Sequence, residues 1–257
     1  MATKNHMTKK QLHTKKNSDA AVYMVMIALV VLCGALIGLR SLRDYYTTVE
    51  GFSTLYERTP VIIIAGLAVA AVFAVLGLVI RNRVFRVAAP WFLTIGLLAA
   101  ATGWVMRTGG VQDFGFLYYL CFAVLIQYII FLLYRWEFFL FSLSTVAAGG
   151  VFFCFSRGIY WTGKNITMLV LLALILVGTA LVTNMASHNK GYLSTGSHRV
   201  QLFSAKSAPI LIYIVNVLWL VCVIAIPLLG GLFAYYCMFA AIAVEFIAAV
   251  YYTFQLS

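Results

Sequence analysis

Apolar residues in this chain gather in blocks of about 20, the length that spans a hydrocarbon core about 30 Å thick. The blocks are Ala20–Leu39, Val61–Ile80, Val87–Met106, Gly115–Tyr134, Phe138–Phe155, Thr167–Ala186, Pro209–Leu229 and Leu232–Tyr252. They predict an all-α, polytopic transmembrane bundle of eight spans. With only short connections between them, residues 20–257 form a single membrane domain without a soluble catalytic module.

Two connections exceed a tight turn. In the first, Leu42, Tyr45, Val49, Phe52 and Tyr56 recur at steps of three and four, which makes one apolar helical stripe. A short helix lying on the outer interface fits this spacing, and so does an aromatic-rich loop, because Gly51 interrupts it. The second, Ser187–Ser207, is rich in Gly, Ser and Thr and reads as a loop. Its His188, Lys190, His198 and Arg199 fit either ordinary cytoplasmic charge or a surface for a phosphate or a protein partner. Residues 1–19 form a basic polar tail with no packing pattern, expected to be disordered. The following apolar run is too long for a signal peptide and lacks an A-x-A site, so it is expected to be retained as the first span.

The two halves echo each other weakly. "AAP" ending at Pro90, Gly109-Gly110 and "FLYYLCFA" (Phe116–Ala123) are followed later by "SAP" ending at Pro209, Gly230-Gly231 and "FAYYCMFA" (Phe233–Ala240). Four spans per copy would make this a 4+4 parallel repeat, an arrangement some transporters use. Apolar aromatic sequence also yields such matches by chance.

Composition sharpens the membrane reading. With 64% apolar and 10% charged residues, too few polar side chains exist to cover a water-facing surface. If the N-terminus is inside, the cytoplasmic segments carry most of the 18 Lys and Arg residues, and both termini are cytoplasmic. The net charge of +11 then reflects topology and attraction to anionic inner-leaflet lipid of the cell membrane. It does not point to nucleic acid, since no folded basic surface is present. Trp91 and Trp136 mark the inner boundary, Trp104 and Trp161 the outer one, and Trp219 falls near mid-span. All five cysteines fall within spans with no C-x-x-C pairing, so neither a disulfide framework nor a zinc site is indicated.

The candidate chemistry is the polar groups inside the membrane. Glu245 is a carboxylate in mid-span, costing roughly 2.5–3.5 kcal/mol on insertion scales, and such residues mark functional sites by default. Ala241, Ala248 and Ala249 share its helical face and would admit a neighbouring helix. Asn216 lies as far before Gly230-Gly231 as Glu245 lies after it, so a helical hairpin sets the two at one depth. Tyr213, Asn216 and Trp219 form a stripe expected to face that Ala-rich side. Gln127, Thr94, Ser144, Thr145 and Thr179 fall at similar depth, where interhelical hydrogen bonding is the ordinary role of such residues.

No mid-span histidine, P-loop, G-x-S-x-G, H-E-x-x-H or acidic cluster is present, so no enzyme, cofactor or metal site is expected. The leading expectation is a transporter or permease for a small solute or lipid-like substrate. Glu245 and Asn216 would be its coupling or binding pair, with Gln127, Tyr213 and Trp219 lining the route. The alternative is a non-catalytic scaffold or subunit of a larger membrane complex, docking through the N-terminal tail or the Ser187–Ser207 loop.

Overall fold

A computed structural model describes residues 9–79, 83–108, 113–157, 163–189, 191–195, 198–203 and 209–256. Residues 1–8 of the expected tail, Gly109-Gly110, Trp161 and Lys190 lie outside them. Among the described residues there are eight helices: α1 (Lys9–Tyr46), α2 (Val49–Val79), α3 (Arg83–Thr108), α4 (Phe114–Leu133), α5 (Trp136–Ser156), α6 (Gly163–His188), α7 (Ile210–Leu229) and α8 (Gly231–Leu256). Among the described residues seven of them, α1, α2 and α4 to α8, are long and apolar enough to cross a membrane. The chain is thus an all-α bundle and an integral, multi-pass membrane protein.

The axis of the bundle is α5. In its span 72% of the residues are buried, against 6% for α1 and 11% for α2, so α5 is the core and the first two helices are mostly periphery. Its small residues explain this position, because Ser, Thr, Ala and Gly let neighbouring backbones come close. A Cβ on Gly149 would stand 2.7 Å from the Tyr119 hydroxyl, and one on Gly150 3.2 Å from the same ring. The α4 tyrosine thus lies across a notch in α5 that only glycine provides, with its hydroxyl donating to Val146 O at 2.6 Å. On another side α8 runs antiparallel to α5 along its whole length. Gly231 sits beside Phe155, Ala241 beside Gly149, Glu245 against Ser142, and Tyr252 against Glu137 and Phe138.

A second core forms where α1, α3, α4 and α5 meet. Tyr46, Val105, Met106, Phe114, Leu117 and Cys154 are buried in it, and the Tyr46 hydroxyl donates to Met106 O at 2.9 Å. Beyond it α2 and α3 pack tightly, since a Cβ on Gly66 would meet Ala100 N at 2.7 Å and one on Gly96 would meet Gly66 O at the same distance.

Several segments differ from the expectation. α1 begins at Lys9, so it reaches back into the tail expected to be disordered; residues 9–19 contain no Gly or Pro to stop a helix. Residues 42–56 form no separate interfacial helix. They divide into the end of α1, a turn at Thr47-Thr48 and the start of α2, which continues through Pro60. Thr48 makes this break by capping α2, its Oγ1 accepting from Gly51 N at 3.1 Å. The buried aromatic there is Tyr46, whereas Tyr45, Phe52 and Tyr56 are exposed. Within the Ser187–Ser207 segment, β1 (Tyr192–Thr195) pairs antiparallel with β2 (His198–Gln201). Gly191, at φ +85°, closes α6 by donating to Ala186 O at 2.8 Å. Its own carbonyl accepts from Leu202 and Phe203, whose side chains are buried in the main core. The base of this connection is therefore packed structure.

Candidate functional site

Successive residues on a helix turn by about 100°, so Ser142, Ser144 and Thr145 of α5 project in three directions. Each meets a different neighbour, and two polar clusters result.

The first joins α4, α5 and α8. Gln127 Nε2 donates to Ser142 Oγ at 2.7 Å, and Ser142 Oγ donates to Glu245 Oε1 in a short hydrogen bond. Ser142 is fully buried, and Ala241 and Ala248 are buried on the same face of α8 as Glu245. Two acceptors in this cluster, Gln127 Oε1 and Glu245 Oε2, are buried without a hydrogen-bond partner among the described residues. An unmatched buried acceptor costs about 1–3 kcal/mol, and Asn216 Oδ1 is in the same position.

Gln127 also lines a half-open cavity of about 780 Å³ with walls from α1, α3, α4, α5 and α6. Its described walls are aliphatic and aromatic, with Trp91, Thr94, Trp104, Tyr119, Gln127 and Tyr128 able to hydrogen-bond and Cys121 a weak donor. Trp91 and Tyr128 pack with ring centroids 5.0 Å apart. Among the described residues no charged side chain lines the cavity.

The second cluster joins α5, α6 and α7. Asn216 Nδ2 donates to Thr179 Oγ1 at 3.0 Å and to Leu176 O at 3.2 Å, and Thr179 Oγ1 shares a hydrogen bond of 3.2 Å with Ser144 Oγ. Trp219 Nε1 donates to Thr145 Oγ1 at 3.3 Å, while its ring meets Phe152 edge-on at 5.8 Å. Tyr213 donates to Ala180 O at 3.4 Å.

The five expected site residues are thus divided between the clusters. Gln127 and Glu245 belong to one, and Asn216, Tyr213 and Trp219 to the other. The expected pairing of Glu245 with Asn216 is not formed: equal distance from the midpoint of Gly230-Gly231 sets two residues at one depth but leaves the rotation of each helix free. The α7 stripe turns toward α5 and α6, and Glu245 finds α5 instead.

Two polar features went unnoticed in the sequence. Ser142 is the link between Gln127 and Glu245, and it resembles its hydroxyl neighbours Ser144 and Thr145. Glu137 stands one residue before the apolar run, yet it is 2% exposed and accepts from Tyr252 Oη at 3.2 Å. It occupies the first turn of α5, where the free N–H groups of a helix favour a carboxylate. At the opposite end of α5, Lys164 Nζ and Asp113 Oδ1 form an ion pair of 2.5 Å between the starts of α6 and α4. No group of three or more His, Cys, Asp or Glu side chains suited to a metal ion occurs among the described residues.

Comparison with protein-family models, with curated proteins and with solved structures found no match.

Proposed function

We propose that this chain is a transporter or permease-type protein of the cell membrane. In this reading it moves a small solute or lipid-like substrate through the cavity beside α4, with Glu245 as the coupling group, and is not an enzyme. The single observation that carries the proposal is the hydrogen-bond chain from a cavity-lining amide to a buried carboxyl group.

The chain has a direction, and the charge on Glu245 sets it. An ionised carboxylate only accepts, so Ser142 must donate to it, and Ser142 then takes its own hydrogen bond from Gln127 Nε2. The amide oxygen of Gln127 is left unpaired. A protonated Glu245 can donate instead. Ser142 then turns its proton toward Gln127, the amide rotates, and an N–H becomes the group left over. One proton arriving at α8 thereby exchanges an acceptor for a donor beside the cavity. Such an exchange supplies the differential affinity that coupling requires. The titratable groups nearest this chain are Tyr119 of α4 across Gly149, and Glu137 of α5 with Tyr252 of α8.

The finer topology belongs to this proposal as well. α3 would cross as an eighth span, setting both termini on the cytoplasmic side against anionic lipid. In a 4+4 repeat α1 would correspond to α5 and α4 to α8; α1 packs on α4 and α5 on α8, whereas α2 packs closely on α3 and α6 only lightly on α7. The second cluster favours the alternative of a scaffold, because it joins three helices without reaching the cavity.

Proteoliposomes holding a pH-sensitive dye separate the two readings. Under an imposed solute gradient, a panel of neutral, cationic and anionic solutes is offered to wild type and to Glu245→Gln. Proton movement with at least one solute, absent in Glu245→Gln, is expected. Traces matching protein-free liposomes for the whole panel would leave the scaffold.

A further inference from the structure

The walls of the cavity say more about its occupant than the word substrate does. Charge is excluded first. Among the described residues no Lys, Arg, His, Asp or Glu lines the space, and an ion moved from water into such walls is left without a partner. A sugar or another many-hydroxyl solute is excluded next, because six scattered hydrogen-bonding side chains cannot match its groups, and one of them, Tyr119, is already committed to Val146 O. A molecule that is mostly hydrocarbon remains, and about 780 Å³ lies within the range of known ligand pockets.

One polar feature orients that molecule. The Nε2 of Gln127 is held by Ser142, while its Oε1 is buried with no partner. The oxygen has no surface open to the cavity as the side chain stands, so one ligand hydroxyl satisfies it when the Gln127 amide turns toward the cavity wall. The hydroxyl is also the head group that fits both states of the chain, since it donates to Oε1 when Glu245 is ionised and accepts from Nε2 when Glu245 is protonated. The cavity is also not sealed from lipid: α3 meets α6 only over a short stretch, although both line it.

We infer that the cavity binds a neutral single-chain amphiphile, a hydrocarbon tail with one hydroxyl head, whose tail lies against the aromatic walls and whose head pairs with Gln127. This rests on the transport reading for its direction of movement but not for the binding itself.

The test uses the full-length chain in lipid nanodiscs with a diazirine-bearing long-chain alcohol, followed by mapping of the labelled residues. Labelling is expected at Trp91, Tyr128 and other cavity residues, and it should be displaced by unlabelled alcohol of the same length. Gln127→Leu should weaken that displacement about three- to tenfold, the loss of one neutral hydrogen bond. Ala101→Phe, which fills the cavity from α3, should abolish cavity labelling while leaving α2 labelling unchanged. The inference is overturned if the equally long carboxylate or alkylammonium displaces the probe as well as the alcohol does. It is overturned too if α2 residues facing lipid, such as Val61 and Ile64, are labelled as strongly as the cavity. Cavity labelling with no solute movement in liposomes would sink the transport reading and keep the ligand class; coupled movement of a charged solute would do the reverse.

Discussion

The two polar clusters flanking α5 are built from the same kinds of residue, and each leaves a buried acceptor unpartnered, Asn216 Oδ1 in one and Gln127 Oε1 and Glu245 Oε2 in the other; they differ in that only the second holds a carboxyl group and touches a cavity. On the α6–α7 side, Asn216, Thr179 and Ser144 are all buried, and their hydrogen bonds run from helix to helix. On the α4–α8 side a similar hydroxyl, Ser142, stands between a carboxyl group and an amide that lines a cavity. The first arrangement fixes three helices. The second can change state, because its direction depends on a proton. Polar content inside a membrane is therefore a poor guide to function by itself; a titratable end and an open end distinguish a relay from a clasp.

Substitutions on each side should divide along that line. The largest effect on folding is expected from Trp219→Ala, which empties a fully buried site beside Phe152 and should cost about 3–5 kcal/mol in reversible unfolding measured in mixed micelles. Its solute-coupled proton movement, scaled to folded protein, should persist. Next comes Glu245→Leu, which leaves Ser142 without its acceptor and should destabilise by about 1–3 kcal/mol as well as abolish coupling. Glu245→Gln, able to keep a hydrogen bond to Ser142, should fold nearly normally yet respond to pH no longer. Asn216→Leu should lower stability by only about 0.6–1.7 kcal/mol and leave the pH response intact. Loss of that response in Asn216→Leu would merge the two clusters and break the comparison.

The subtlest expectation concerns head groups. A long-chain methyl ester only accepts hydrogen bonds, so it should bind through the Gln127 amide N–H that protonated Glu245 exposes. Its affinity should rise as pH falls and weaken as pH rises, whereas the alcohol of equal length should be nearly indifferent. Titrating both by displacement of the diazirine probe would sharpen the relay, and parallel curves for the two would count against it.

The apolar blocks made the helices legible because the length of a membrane span is set by bilayer thickness. Ala241, Ala248 and Ala249 likewise marked the protein-facing side of Glu245. Its partner was not legible. Depth follows from counting residues along a hairpin, but rotation about each helix axis is decided by packing, and the notch at Gly149-Gly150 draws α4 and α8 onto α5. Ser142 gave no signal, because a hydroxyl on a buried helix most often bonds its own backbone, as Thr145 does to Phe141 O at 3.2 Å. Glu137 was hidden by standing at the edge of an apolar run, where charge is normally solvated. The β1–β2 pairing was obscured by its polar composition, although Leu202 and Phe203 supplied the apolar pair that anchors it.

The central claim is that the proton on Glu245 is felt at Gln127 through Ser142. Side-chain amide ¹⁵N resonances of glutamine-labelled protein in nanodiscs, with Gln127 assigned by its loss in Gln127→Leu, follow this as pH is varied. The Gln127 amide should shift with the titration of Glu245 in wild type and stay still in Ser142→Ala. A Gln127 signal unmoved while Glu245 titrates in the wild type would contradict the account.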